Sequence, residues 1–170
     1  MVRVYPTLIM PIEESGYVVP QLSGQGMTNS GILTQNTAYG LVFRVSVPTT
    51  VARILWGNAA TIHGSIDVGV YRKDGSVWTR LTSNGGAAHS GGSASQSLTF
   101  TPVVCLPGFD YALAIASNSA TATINRASIG GPVRDAGLSF SLATAYPLPA
   151  TITPDVAGGT TIPYLVGQPS

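Results

Sequence analysis

Apolar and polar residues alternate with a period of two along several stretches of this chain, and no stretch shows the helical period. Every second residue is apolar from Leu41 to Val47, and the same alternation recurs from Ile66 to Val70. A period of two sends neighbouring side chains to opposite faces of a β-strand, so each stretch predicts a strand with one face toward a core. The pattern therefore predicts an all-β fold.

Turn residues separate these stretches at short intervals. Pro48 ends one strand, Gly57-Asn58 ends the next, and Asp74-Gly75 supplies the positive φ that a type I′ hairpin turn requires. The Leu106-Pro107-Gly108 sequence predicts a tight corner before a strand that begins at Phe109. Roughly eight strands at this spacing predict an antiparallel β-sandwich that is jelly-roll-like.

The strand predicted after Phe109 has two very different faces. Its inward residues are bulky, whereas the other face consists of Ala112, Ala114 and Ala116. A face of small side chains allows another sheet or another subunit to approach closely. We therefore expect a second packed layer over these alanines.

The length and the distribution of proline divide the chain. A chain of 170 residues removes roughly two-thirds of its unfolded surface from water when it folds, so residues 1–170 are expected to form a single β-sandwich domain. We assign the sandwich core to residues 39–142. Three prolines among apolar pairs predict an N-terminal arm with edge strands over residues 1–38, and five prolines predict an extended C-terminal arm over residues 143–170.

The predicted C-terminal arm carries apolar side chains that require a covering surface. These candidate subunit-interface residues are Tyr146, Ile152, Ile162, Tyr164 and Leu165. The covering surface is either the parent sandwich or a neighbouring subunit, and the sequence leaves both possibilities open.

Charged residues are scarce. The chain has 8 Lys+Arg and 7 Asp+Glu, which is 9% of its residues, against roughly 25% in an ordinary soluble domain. A nearly neutral surface suits burial against other protein subunits. The net charge of +1 and the scattered basic residues argue against a nucleic-acid partner.

Other compartment signals are weak. The apolar runs are far shorter than the ~20 residues of a membrane helix, so no membrane partner is expected. Prolines and the acidic pair Glu13-Glu14 interrupt the N-terminal segment, which therefore does not read as a signal peptide. Cys105 lies in an apolar stretch and is expected to act as a small buried hydrophobe.

Four segments follow one another in an order that is typical of a known group of proteins. They are the apolar strand before Pro48 with residues 51–54, the hairpin 66–75, the segment 106–117, and the segment 146–151 with a final 163–165. In this order they resemble small β-sandwich proteins of tailed bacteriophages, over residues 40–166.

The resemblance implies a non-enzymatic structural protein at the virion surface, made in the host cytoplasm. The role that it implies first is that of a decoration (cement) protein on the head exterior. The alternative role is that of a tail appendage. The implied partners are the major capsid protein or other virion proteins, and further copies of the chain in a homo-oligomer. The group supplies no catalytic residues.

Glycan binding is the main functional alternative, as in an adhesion module that recognises host surface polysaccharide. Sandwich modules hold sugars by stacking an exposed aromatic ring on the pyranose while polar groups bind the hydroxyls. The candidate residues are Tyr71, Trp78, Arg80 and His89. Packing of Tyr71 against Trp78 within the hairpin is the competing interpretation.

Catalytic and metal sites find little support in the sequence. No serine lies in a Gly-x-Ser-x-Gly elbow, and the loop around His89 is rich in glycine. His63, His89 and Cys105 lack the paired spacing of zinc ligands. We therefore predict no catalytic residues, no metal ligands and no cofactor, although a hydrolase stays a third hypothesis.

Overall fold

The structure of the protein is a computed structural model that describes residues 27–128, 139–154, 156–157 and 161–169. Most of the predicted N-terminal arm, residues 1–26, lies outside the described residues. Within the described ranges the chain is all-β and its strands pair antiparallel. The predicted fold class, an antiparallel β-sandwich, is confirmed.

Fourteen strands form in the described part of the chain. They are β1 (Met27–Ile32), β2 (Ala38–Phe43), β3 (Thr49–Gly57), β4 (Ser65–Asp74), β5 (Val77–Ser83), β6 (Ala87–Ala88), β7 (Ser95–Cys105), β8 (Tyr111–Ser117), β9 (Thr123–Ser128), β10 (Ser139–Leu142), β11 (Thr151–Ile152), β12 (Val156–Ala157), β13 (Thr161–Pro163) and β14 (Leu165–Gln168).

These strands form three sheets. The largest has eight strands in the order β11-β5-β4-β8-β2-β10-β12, with β6 pairing beside β5 on β4. Two three-stranded sheets have the orders β14-β3-β7 and β1-β9-β13. The proline-rich C-terminal segment thus contributes both edge strands of the eight-stranded sheet, β11 and β12, and one edge strand of each smaller sheet, β13 and β14.

The main core lies where the eight-stranded sheet packs against the β14-β3-β7 sheet. Its side chains come from alternate positions of β2, β4 and β8 on one side and of β3 and β14 on the other, as the period-two pattern predicts. The largest fully buried members include Phe43, Ile54, Ile66, Leu113 and Leu165. Cys105 is also fully buried, and burial raises the pKa of its thiol to about 12.

A second core covers the opposite face of the eight-stranded sheet. We call Ala38, Gly40, Ala112, Ala114 and Ala116 the small-residue face. Residues 145–152, here called the strap, lie over it through Ala145, Leu148 and Ile152. The expected second layer is therefore present, and the chain's own C-terminal segment supplies it.

Glycine at position 40 makes room for this layer. A Cβ atom on Gly40 would lie 2.1 Å from Cζ of Phe140, which is closer than atoms can pack. The Phe140 ring, from the neighbouring strand β10, therefore rests directly on the Gly40 backbone. The ring also packs against Trp78, whose ring centroid is 5.1 Å away.

The hairpin between β4 and β5 forms as predicted, with a different turn. Asp74 pairs with Val77, so the two central residues are Gly75 and Ser76. Gly75 has φ +65°, whereas Ser76 does not have a positive φ. This is the pattern of a type II′ turn rather than the expected type I′ turn, and Gly75 occupies the position that requires glycine.

Candidate functional site

An apolar surface patch lies at one end of the sandwich. Pairing of Thr49 with Cys105 and of Phe43 with Tyr111 brings the loop after β2 beside the turn between β7 and β8. The exposed large hydrophobic side chains there, here called the apolar end, are Val47 (47% exposed), Val104 (54%), Leu106 (47%) and Phe109 (42%). Val47 was expected to share the buried face of its strand, but β2 ends at Phe43, so the alternation no longer controls its direction.

The apolar end is held in shape by contacts around Tyr111. The Leu106 backbone N–H donates to Tyr111 Oη at 2.8 Å. The Phe109 ring meets the edge of the Tyr111 ring at a centroid distance of 6.5 Å, and the Arg72 guanidinium lies 5.3 Å from the Phe109 centroid. These contacts hold Leu106 and Phe109 in place before a partner binds. Less conformational entropy is then lost on binding, which favours a role as a binding surface.

The charges beside the apolar end are paired within the chain. Arg44 forms an ion pair with Asp110, and Arg72 Nε donates to Asp74 Oδ1 at 3.0 Å. Both pairs are partly exposed, so their contribution to folding stability is small. Their effect at this end of the molecule is to leave the apolar patch without a net charge.

A polar clamp holds the strap on the small-residue face. Fully buried Asp67 accepts hydrogen bonds from the Gly85 N–H and the Leu148 N–H, both at 2.9 Å. Tyr71 Oη donates to the Pro149 carbonyl at 2.6 Å. The Arg80 guanidinium donates to the Leu148 carbonyl, and its backbone N–H donates to Ala150 O at 2.8 Å.

Burial dominates the electrostatics of this clamp. It raises the pKa of Asp67 above its ordinary value, although the two backbone donors and the nearby Arg80 oppose the shift. It also raises the pKa of Tyr71, which remains a neutral hydrogen-bond donor. All three side chains bind main-chain groups of the strap or the adjacent loop, so their arrangement accounts for structure rather than for chemistry on a substrate.

A second buried polar cluster surrounds Asn58. Its Oδ1 accepts from Trp56 Nε1 at 2.6 Å and lies 2.7 Å from His89 Nε2. The indole can only donate, which fixes the orientation of the amide, and His89 Nε2 must then carry a proton. Asn58 Nδ2 donates to the Ser90 carbonyl at 2.6 Å. The cluster therefore ties the end of β3 to the glycine-rich loop between β6 and β7.

His89 is neutral in this cluster. Only 6% of the residue is exposed, and its Nδ1 has no hydrogen-bond partner. Burial lowers the pKa of His89. This effect is larger than that of the His63 backbone, which raises the pKa. With its one N–H engaged by Asn58 Oδ1 and the residue buried, His89 acts as a structural donor.

The structure changes the interpretation of the predicted glycan residues. Tyr71, Trp78 and His89 are buried, so the expectation that Tyr71 and Trp78 present accessible rings is wrong. The outward face of β4 and β5 is covered by the strap, which the hairpin pattern alone did not reveal. Arg80 is half-buried and bonds to the strap. None of these side chains has a free aromatic face on which a sugar could stack.

The competing interpretation, in which Tyr71 packs directly against Trp78 across the hairpin, is partly right. Tyr71 and Trp78 belong to the same buried cluster. They are not direct cross-strand partners, because Tyr71 pairs with Arg80 and Trp78 pairs with Lys73. They are diagonal neighbours on one face of the hairpin, two positions apart along the strands, which is within reach of aromatic side chains.

Two of the predicted subunit-interface residues are enclosed within the chain itself. Ile152 and Leu165 are fully buried, the first in the second core beneath its own strap backbone and the second in the main core. The sequence left open whether the parent sandwich or a neighbouring subunit covers these residues. The parent sandwich covers Ile152 and Leu165, so these two side chains are not available to a second subunit. Tyr146 and Tyr164 are half-buried. The Ile162 side chain lies outside the described part.

The residues of the apolar end were missed as site candidates. The sequence signal that could have found them is the position of bulky apolar residues inside turns, next to Pro48 and within the Leu106-Pro107-Gly108-Phe109 corner. Turn segments lie on the surface, so apolar residues there are exposed unless another element covers them.

The described residues provide neither a metal-binding cluster nor a membrane-spanning helix. The described ranges contain no group of three or more His, Cys, Asp or Glu side chains that could hold a metal ion. No helix within them is long and apolar enough to cross a membrane. No family model matches the chain, and no curated protein matches its sequence.

Proposed function

We propose that this protein is a non-enzymatic structural subunit of a tailed-phage particle, placed on the head exterior as a decoration protein. The observation that carries the proposal is the apolar end, a firmly supported set of exposed apolar side chains on a nearly uncharged sandwich. Exposed apolar patches of this kind typically contact another protein. The resemblance of the chain to small β-sandwich proteins of tailed bacteriophages is the reason for proposing a phage particle.

The buried polar groups support a structural role in a second way. Asp67, Tyr71 and Arg80 engage the strap, and His89 engages Asn58. Each of these groups has a sufficient structural explanation in the hydrogen bonds it makes. The polar chemistry of the described residues therefore stabilises a scaffold, and the apolar end is left as the surface for recognition.

Immunogold labelling of particles tests the proposal directly. Antibodies against the recombinant protein, applied to particles produced from the genome that encodes it, should label the head. Label on the tail would select the tail-appendage alternative. Particles without label and without peptides of this chain in mass spectrometry would overturn the virion assignment.

Substitutions at the apolar end test the surface. Leu106→Asp and Phe109→Asp should prevent association with particles, because each would bury a carboxylate in an apolar contact. Ala120→Asp adds the same charge on the exposed loop after β8, beyond the end of that strand opposite the apolar end, and serves as the matched control. Equal association of all three variants would exclude the apolar end as the contact.

A further inference from the structure

Asn84 and Gly85 form an asparagine–glycine pair, the sequence in which an asparagine deamidates most readily. Because glycine has no Cβ, its backbone nitrogen can approach Cγ of the preceding asparagine without hindrance. No other asparagine in the sequence precedes a glycine. The pair follows β5, where Gly85 is exposed and has φ +84°. Water therefore reaches Gly85, and burial alone does not keep the pair unreactive.

Hydrogen bonds hold both of the groups that would react. The Gly85 N–H donates to Asp67 Oδ1 at 2.9 Å, and Asn84 Nδ2 donates to the Thr99 carbonyl at 3.0 Å. The Gly85 nitrogen must lose its proton before it can attack, and an amide N–H that is bonded within a protein meets solvent base only when that bond opens. The bond to Thr99 restrains the amide group that the nitrogen must approach.

We infer that Asn84 is a deamidation site that the folded chain keeps closed, with Asp67 as the group that closes it. When the Gly85 N–H leaves Asp67, the nitrogen gives its proton to solvent and forms a bond to Asn84 Cγ. The bond between Cγ and Nδ2 breaks, and Nδ2 takes a proton from solvent and leaves as ammonia. Water then opens the five-membered succinimide ring at either carbonyl, which leaves aspartate or isoaspartate at this position.

The reaction would release the loop after β5 from β7. A carboxylate cannot donate a hydrogen bond, so the contact with the Thr99 carbonyl would be lost. Among the described residues Asn84 Oδ1 has no hydrogen-bond partner although it is buried, so a charge there would be costly. The modified loop therefore cannot restore the native contact. Asp67 also accepts from the Leu148 N–H, so one side chain holds both this loop and the strap.

Peptide mapping by mass spectrometry measures the conversion of Asn84 during incubation of the full chain at mildly alkaline pH. A synthetic peptide of residues 81–89 gives the rate of the unprotected sequence. The folded wild type should convert at least about tenfold more slowly than the peptide, because the reaction waits for the loop to open. Asp67→Ala removes the acceptor of the Gly85 N–H and should raise the rate in the folded chain by about tenfold or more.

Phe43→Leu serves as the control for global unfolding, since it loosens the main core beside Tyr111 and leaves the bond between Asp67 and Gly85 in place. Urea denaturation gives the free energy of unfolding of both variants. Asp67→Ala should convert faster than its free energy of unfolding accounts for, whereas Phe43→Leu should not. The same dependence on that free energy in both variants would overturn the inference.

Hydrogen exchange of the Gly85 amide in the wild type decides the question if Asp67→Ala does not fold. This amide should exchange at least about tenfold more slowly than in the peptide, although Gly85 is exposed. Exchange at the rate of the peptide, or a folded wild type that deamidates as fast as the peptide, would also overturn the inference. These measurements use the isolated protein and do not bear on its proposed place on the particle.

Discussion

Acidification should destabilise this protein through His89, and the effect can be isolated by one substitution. His89 is buried with Nε2 donating to Asn58 and Nδ1 unpartnered, and burial lowers its pKa. In the unfolded chain its pKa returns to about 6.5. His89→Gln retains an N–H that can reach Asn58 Oδ1 and removes the titration.

The magnitude follows from the number of protons bound in each state. Above pH 6.5 His89 is neutral in both states and adds no pH dependence. Below that pH the unfolded chain binds one proton that the folded chain does not. The free energy of unfolding therefore falls by up to about 1.4 kcal/mol per pH unit, until the pH reaches the lowered pKa of the folded state.

Urea denaturation of both proteins between pH 8 and pH 5 measures this difference. The free energy of unfolding of the wild type should fall relative to that of His89→Gln as the pH drops below 6.5. Buried Asp67 has a raised pKa, so its protonation favours the folded state as the pH falls. Both proteins carry Asp67, so its contribution cancels in the comparison. Parallel stability curves would refute the buried neutral state of His89.

Four substitutions test the second core by urea denaturation at neutral pH. Gly40→Ala should cost about 1–3 kcal/mol by overpacking against Phe140, and Phe140→Ala in the same chain should relieve the clash; costs that simply add would contradict the contact. Leu148→Ala should cost about 2–5 kcal/mol, and a smaller loss would show that the strap is not packed there. Tyr71→Phe should cost about 0.5–1.5 kcal/mol through its bond to the Pro149 carbonyl, and an unchanged stability would exclude that bond.

The strands of the main core could be predicted because one physical rule governs them. In β2 the alternation placed Leu41 and Phe43 on the buried face, and the structure confirms both directions. A strand with one buried face must keep its register, since a shift of one residue would expose the whole apolar set. The local alternation of apolar and polar residues is therefore sufficient to predict these strands and their buried faces.

The second core could be predicted only in part. The alanines of β8 indicated a covering layer, but nothing local specified that residues 145–152 would form it. That layer depends on Asp67, Tyr71 and Arg80 binding the main chain of the strap, contacts between residues far apart in sequence. Main-chain groups are the same in every residue, so such contacts leave no sequence motif. This is why Tyr71 and Trp78 looked accessible when they are buried.

Several of the few charged side chains in the described ranges contact other groups of the same chain. Of the three acidic residues in the described ranges, Asp67 is buried and both Asp74 and Asp110 are paired with arginine. Lys73 lies over the Trp78 ring at 5.7 Å, and Arg80 bonds to the strap. The chain thus engages these charges internally. Association through the apolar end should then respond weakly to salt, because screening acts only on charges that face a partner.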